Sequence, residues 1–286
     1  MLFNEAVEYF RKHMININRA HETIKGYTIE LNLLSKFLHR KYNGPVYLEE
    51  VTLQDLEDHM QALKEKGISP VSRNRDVYII RSFYNFCYKK DYISNNLGIK
   101  LEAISAPEKE RVYLTPDEIE ELISAIKKPL IKLIISTLYY TGMRISECLN
   151  LLIEDINFKE SIITVRNTKN KKDRQLPIHK DLMPMLEDYC MGWRKGRSNP
   201  YLFSINNARR VSPDHVNRVL HKTTRRLKWN KHVTCHIIRH SFASNLVAKN
   251  VNIVNIQKLL GHSNLSTTSI YTHTNLSELK NAVNSI

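Results

Sequence analysis

Cysteine is scarce in this chain: four in 286 residues, Cys87, Cys148, Cys190 and Cys235, with no C-x-x-C pair among them. That spacing excludes a disulfide framework and a thiolate zinc site, and it fits free buried thiols in a reducing cytoplasm. No run approaches the length of apolar sequence that spans a bilayer. Met1-Leu2-Phe3-Asn4-Glu5 lacks the basic, apolar and small-residue order of a signal peptide. A soluble, cytoplasmic protein without a membrane partner is expected. There is no H-E-x-x-H, no EF-hand loop and no P-loop, and the acids do not cluster with the histidines. Neither a metal nor a nucleotide cofactor is therefore expected.

Acid is also in short supply. Lys and Arg number 43 against 29 Asp and Glu, a formal charge of +14, which points to a polyanionic partner. The excess is uneven: residues 1–100 hold 15 basic against 12 acidic, leaving 28 against 17 for the rest. Between Gly192 and Lys231 stand Arg194, Lys195, Arg197, Arg209, Arg210, Arg218, Lys222, Arg225, Arg226, Lys228 and Lys231, with Asp214 the one acid. From this stretch Arg209, Arg210, Arg218, Lys222 and Arg225 are candidate DNA contacts.

The length suits two domains, each able to bury its own core. Residues 1–100 read as helices only. Phe3, Val7, Phe10 and Met14 recur at helical spacing, as do Ile24, Tyr27, Leu31, Leu34 and Leu38. Thr52 with Asp55 announces a third helix, which Gly67 and Pro70 are expected to close. Ser72 is read as the cap of a fourth. On that helix Asn74, Tyr78 and Arg81 share a face with Arg75 beside them, a combination suited to phosphate and base edges. Periodicity lapses over 101–113, read as a linker. Thr115-Pro116-Asp117-Glu118 then combines an N-cap, Pro at N1 and Glu at N3, opening a second domain over 114–286. Residues 161–166 and 174–178 read as two short strands of a hairpin, and Ser212-Pro213 starts another helix. At the end, Asn275 with Glu278 caps a tail helix over 275–286, with Leu276, Leu279, Ala282, Val283 and Ile286 as its apolar stripe.

The chemistry-bearing residues are weak singly. His236 and Arg239, three apart, share a helix face, yet H-x-x-R is a common accident. His262 follows Gly261, a helix C-cap. Tyr271 is one of 14 tyrosines, and Arg144 follows a Thr-Gly pair. Together they are the groups needed to attack a phosphodiester without a metal: arginines neutralise the phosphate, a histidine manages a proton, and a tyrosine is the nucleophile.

The stretch Tyr140-Thr141-Gly142-Met143-Arg144-Ile145-Ser146-Glu147-Cys148-Leu149 resembles the first signature box of the tyrosine recombinases. His236-Ile237-Ile238-Arg239-His240-Ser241, then Leu260-Gly261-His262-Ser263, then Tyr271 resemble the second, with the His262-to-Tyr271 step of the Xer-like branch. The resemblance covers nearly the whole chain. It implies a helical core-binding (SAM-like) domain and a mainly helical catalytic domain with a small antiparallel sheet, arranged as a C-shaped clamp on double-stranded DNA with paired recognition arms. It implies Tyr271 as nucleophile, His236 as proton acceptor, Arg144, Arg239 and His262 on the phosphate, and Glu147 in a supporting role. Lys169 matches the hairpin general acid, although asparagines stand where glycines are usual, and Lys171 is the alternative. Asn250 likewise stands where a helix-ending glycine is common. The tail helix docks on its own domain or on a neighbour in a homo-tetramer, with accessory proteins as further partners. The role implied is integration, excision, or dimer or co-integrate resolution. A type IB topoisomerase and a non-cutting site-specific DNA-binding protein are the rival readings.

Overall fold

The computed structural model describes residues 1–105, 112–166, 173–196, 198–205 and 210–261. The chain divides into two compact units, Met1–Lys109 and Glu110–Ile286, the break falling within the stretch read as a linker.

The first unit is built from α1 (Phe3–Asn16), α2 (His21–Lys41), α3 (Leu53–Glu65), α4 (Pro70–Lys89) and the short α5 (Leu97–Lys100). Its core follows the sequence periodicity: Phe3, Val7, Phe10 and Met14 of α1 meet Leu31, Leu34 and Leu38 of α2 and Val77, Ile80 and Phe83 of α4. Thr52 caps α3, its Oγ1 accepting from the Asp55 N–H while Asp55 accepts from the Thr52 N–H. The start of α4 corrects the sequence reading. Ser69, not Ser72, is its cap, and Pro70 opens this helix rather than closing the one before. Proline has no N–H to lose in a first helical turn, and the Ser69 Oγ accepts from the Ser72 N–H at 3.2 Å.

The second unit opens, as expected, with Thr115 capping α6 (Pro116–Ala125), followed by α7 (Pro129–Thr141) and α8 (Ile145–Leu149). A three-stranded antiparallel sheet comes next: β1 (Ile156–Asn157), β2 (Ile162–Val165) and β3 (Arg174–Pro177), in that order. The hairpin is legible in the sequence but β1 is not, since its two residues are too few for alternation to register. Then follow α9 (Met183–Met191), α10 (Pro213–Arg226), α11 (Cys235–Ala248) and α12 (Ile253–Leu260). Ser212 caps α10 and Asn250 takes the left-handed geometry expected of it, with φ 56°. Ile134, Ile135, Leu138, Ile163, Leu176, Leu220 and Ile238 bring helices and sheet into one core. The tail segment 275–286 lies outside the described residues. Among the described residues no helix is long and apolar enough to cross a membrane.

Candidate active site

The first signature box is built on a helix end. Helix α7 stops at Gly142, which has φ +64° and donates its N–H to the Leu138 carbonyl. A side chain is excluded there, since a Cβ would lie 2.3 Å from the Phe242 ring. Two residues on, Arg144 is the N-cap of α8. Its N–H donates to Glu147 Oε2 and its Nη1 to Glu147 Oε1, both at 2.8 Å. The Arg144 side chain remains one-third exposed, at 33%.

Glu147 is where the site converges. Arg174, the first residue of β3, donates to both of its oxygens, Nη1 to Oε1 at 3.1 Å and Nη2 to Oε2 at 2.8 Å. Arg239 Nη1 stands 4.0 Å from Oε2. Burial pushes the Glu147 carboxyl up, but hydrogen bonds from Arg174 and the Arg144 N–H outweigh it and hold the pKa at about 2. The group is an ionised brace. Three guanidiniums against one carboxylate leave two positive charges in surplus at this end of the unit.

Arg239 is buried on α11. Its Nη1 donates to the Gly142 carbonyl and its Nη2 to that of Leu260, each at 2.7 Å. One side chain thus serves the carbonyls left over at the ends of α7 and α12. His236, on the first turn of α11, is exposed, and its Nε2 is 2.8 Å from Nε2 of His240, with the rings edge-on. Which ring donates in such a contact depends on the tautomer of each. The Ser241 Oγ meanwhile accepts from the Leu114 N–H, pinning the entry of the unit to α11.

The structure therefore brings together Arg144, Glu147 and Arg239, with His236 on the Arg239 helix. Lys169, Lys171, His262 and Tyr271 lie outside the described residues, as does Arg209. Sequence reasoning missed Arg174, 27 residues from the carboxylate it grips, and no local periodicity carries that pairing.

The candidate DNA contacts separate into two kinds. On α4, Tyr78 and Arg75 are exposed, while the Asn74 Oδ1 accepts from the Ile104 N–H and Arg81 donates twice to the Leu101 carbonyl. On α10, Arg218, Lys222 and Arg225 recur at helical spacing and all are exposed. Arg210 lies over the Tyr201 ring and donates to Asn150. Elsewhere in the basic run, Arg194 is buried with Nε on the Tyr201 carbonyl, and Lys231 pairs with Glu118 at 2.5 Å. Charge density alone did not separate the structural cations from the exposed stripe.

The Phage integrase family profile matches residues 112–278, and the Phage integrase N-terminal SAM-like domain matches 6–91. Tyrosine recombinase XerA of Pyrococcus furiosus is 35% identical over 290 residues, covering 99% of this chain and 94% of its own. A Tn1549 transposon integrase, solved with circular intermediate DNA, shares the fold at 22% identity and TM-score 0.81 over 99% of each chain. A lambda integrase tetramer on a Holliday junction shares it at 17% identity and TM-score 0.79, over 95% of this chain and 77% of the other. The chain belongs to the phage integrase family of tyrosine recombinases, in its Xer-like branch.

Proposed function

We propose that this recombinase cuts and rejoins double-stranded DNA at specific sites through Tyr271. The phenol oxygen attacks a backbone phosphorus, the bond to the 5′ oxygen breaks, and the 3′ end is held as a phosphotyrosine. A phenol of pKa near 10 is protonated at neutral pH, so it needs a base, and His236 accepts that proton. Lys169, with Lys171 as the alternative, returns a proton to the departing oxygen. Arg144 and Arg239 neutralise the charge that grows on the non-bridging oxygens, and His262 adds a hydrogen bond to the same phosphate. The phosphotyrosyl bond retains the energy of the broken diester, so rejoining needs no ATP.

The observation that carries this reading is the convergence of Arg144 and Arg239 on one ionised carboxylate, which supports a preformed anion clamp. Arg75 and Tyr78 of the first unit, and Arg210, Arg218, Lys222 and Arg225 of the second, are proposed to hold the duplex backbone. Assembly is proposed as a homo-tetramer on two sites, the tail helix 275–286 docking on a neighbour.

Tyr271→Phe is the decisive variant: it is expected to bind DNA and to form no covalent adduct on a nicked suicide duplex. A denaturant-resistant protein–DNA band from that variant overturns the assignment. Wild-type cleavage is expected to persist in excess EDTA. Deleting residues 276–286 is expected to spare single-site binding while abolishing cooperative occupancy of paired sites, and unchanged cooperativity would rule out docking in trans.

A further inference from the structure

Arg174 opens β3, and its side chain is only 12% exposed. Its guanidinium makes a two-pronged bond to Glu147, while its Nε donates to the Leu259 carbonyl at 3.2 Å, near the end of α12. Gly261, with φ +64°, lies against the same group, so close that a Cβ there would be 2.8 Å from Nη1. One planar cation therefore touches the carboxylate that holds Arg144, the turn that ends α12, and, through its own backbone, the strand pair β2–β3. Nε, Nη1 and Nη2 are each committed to protein oxygens, so the group serves the phosphate through its neighbours. In sequence, His262 follows Gly261 directly and Lys169 stands five residues before Arg174.

We propose that Arg174 is a positioning residue for the phosphate clamp, setting the Glu147 carboxylate so that Arg144 presents its guanidinium to the scissile phosphate beside Arg239. The inference rests on the recombinase reading of the site. Arginine is required because only its planar fork matches both carboxylate oxygens at once; a lysine ammonium at the same place supplies charge without fixing orientation. Without the fork Glu147 loses its direction. The ion pair then relaxes toward whichever guanidinium is nearest, and the cations draw in on the carboxylate instead of facing substrate.

The test uses the full chain and two nicked suicide duplexes, one with the natural scissile phosphate and one with a methylphosphonate, in which a neutral methyl replaces a non-bridging oxygen. Arg174→Lys, Arg174→Gln and Arg144→Ala are compared for duplex affinity, melting temperature and rate of adduct formation at saturating DNA. Both Arg174 variants are expected to cut the saturating rate on phosphate by about 10²-fold, the scale of losing one charge-stabilising donor. Affinity is expected to change little. The loss should be much smaller on the methylphosphonate, where less charge needs neutralising, matching the pattern of Arg144→Ala. Glu147→Gln on top of Arg174→Gln is expected to add little, since the two act as a unit. A loss equal on both duplexes would show a merely structural role and overturn the proposal. So would an Arg174→Lys enzyme with wild-type rates. Should Arg174→Gln fail to fold, Arg174→Lys decides the question, because it keeps the charge and tests the fork alone. A wild-type enzyme that forms no adduct on the phosphate duplex defeats the recombinase reading itself, a result distinct from an active wild type beside fully active Arg174 variants.

Discussion

The two units solve burial in different ways. The first is held by aromatic rings: Phe83 lies 5.3 Å from Phe3, 5.7 Å from Phe10 and 5.4 Å from Tyr84, centroid to centroid. Among its buried titratable groups, Asp55 is paired, with Lys41 at 2.6 Å. Burial lowers His59 to about 4 and, with Glu30 nearby, raises Asp76 to about 6. The second unit has an aliphatic core, with Phe203 the one aromatic among its buried described residues, and an ionic knot around Glu147. Burying rings supplies stability without fixing a charge in place. The phosphate clamp proposed for Arg144 and Arg239 must hold guanidiniums at set positions, and hydrogen-bonded charge provides that precision.

Both tryptophans, Trp193 and Trp229, lie in the second unit, so their fluorescence follows that unit while far-ultraviolet circular dichroism follows both. The contrast can be broken with substitutions read on these two signals. Phe83→Ala is expected to have the largest effect, roughly 3–5 kcal/mol from a buried ring lost among other rings. It should separate the two melting signals, and coincident loss of both would refute independent cores. Glu147→Ala leaves Arg174 and Arg239 without their carboxylate, and about 3 kcal/mol is expected, since removing one partner of a buried pair strands the other. The tryptophan signal should move, and cleavage should fail. Gly142→Ala should cost about 2 kcal/mol through its positive φ and the Phe242 ring, again moving the tryptophan signal.

Asp76→Asn is the smallest effect and has the opposite sign. Folded, Asp76 binds its proton more tightly than its ordinary value of 3.8 allows, so the stability it contributes declines as pH rises from there to about 6. The amide removes that loss, and a gain on the order of 1–2 kcal/mol is expected at neutral pH. Glu147 behaves inversely: its contribution is complete above its ordinary 4.5 and lost as pH falls toward about 2. Acid titration of wild type and Asp76→Asn should show the first-unit difference vanish below about pH 4. A difference that persists there would refute the role given to Asp76 burial.

What is local in this chain is legible in its sequence. Caps at Thr52, Thr115 and Ser212, the left-handed turn at Asn250, the helix end at Gly261 and the apolar stripes of α1 and α2 all depend on residues within a turn or two of one another. The α4 start differs from the sequence reading because Ser69 and Ser72 are both plausible caps, and the choice rests on which residue Pro70 follows. The signature boxes placed Arg144, Glu147 and Arg239 because their order is readable even when their geometry is not. Only tertiary structure decided which cations are exposed and which are structural. Arg194 and Arg218 look alike in a basic run, but one is buried on the Tyr201 carbonyl and the other faces outward on α10. It alone also decided that Arg174 grips Glu147 and that Arg239 reaches Gly142 across 97 residues. Such contacts arise when separate helices and a strand pack together, and neither partner's neighbours in sequence carry any trace of the other.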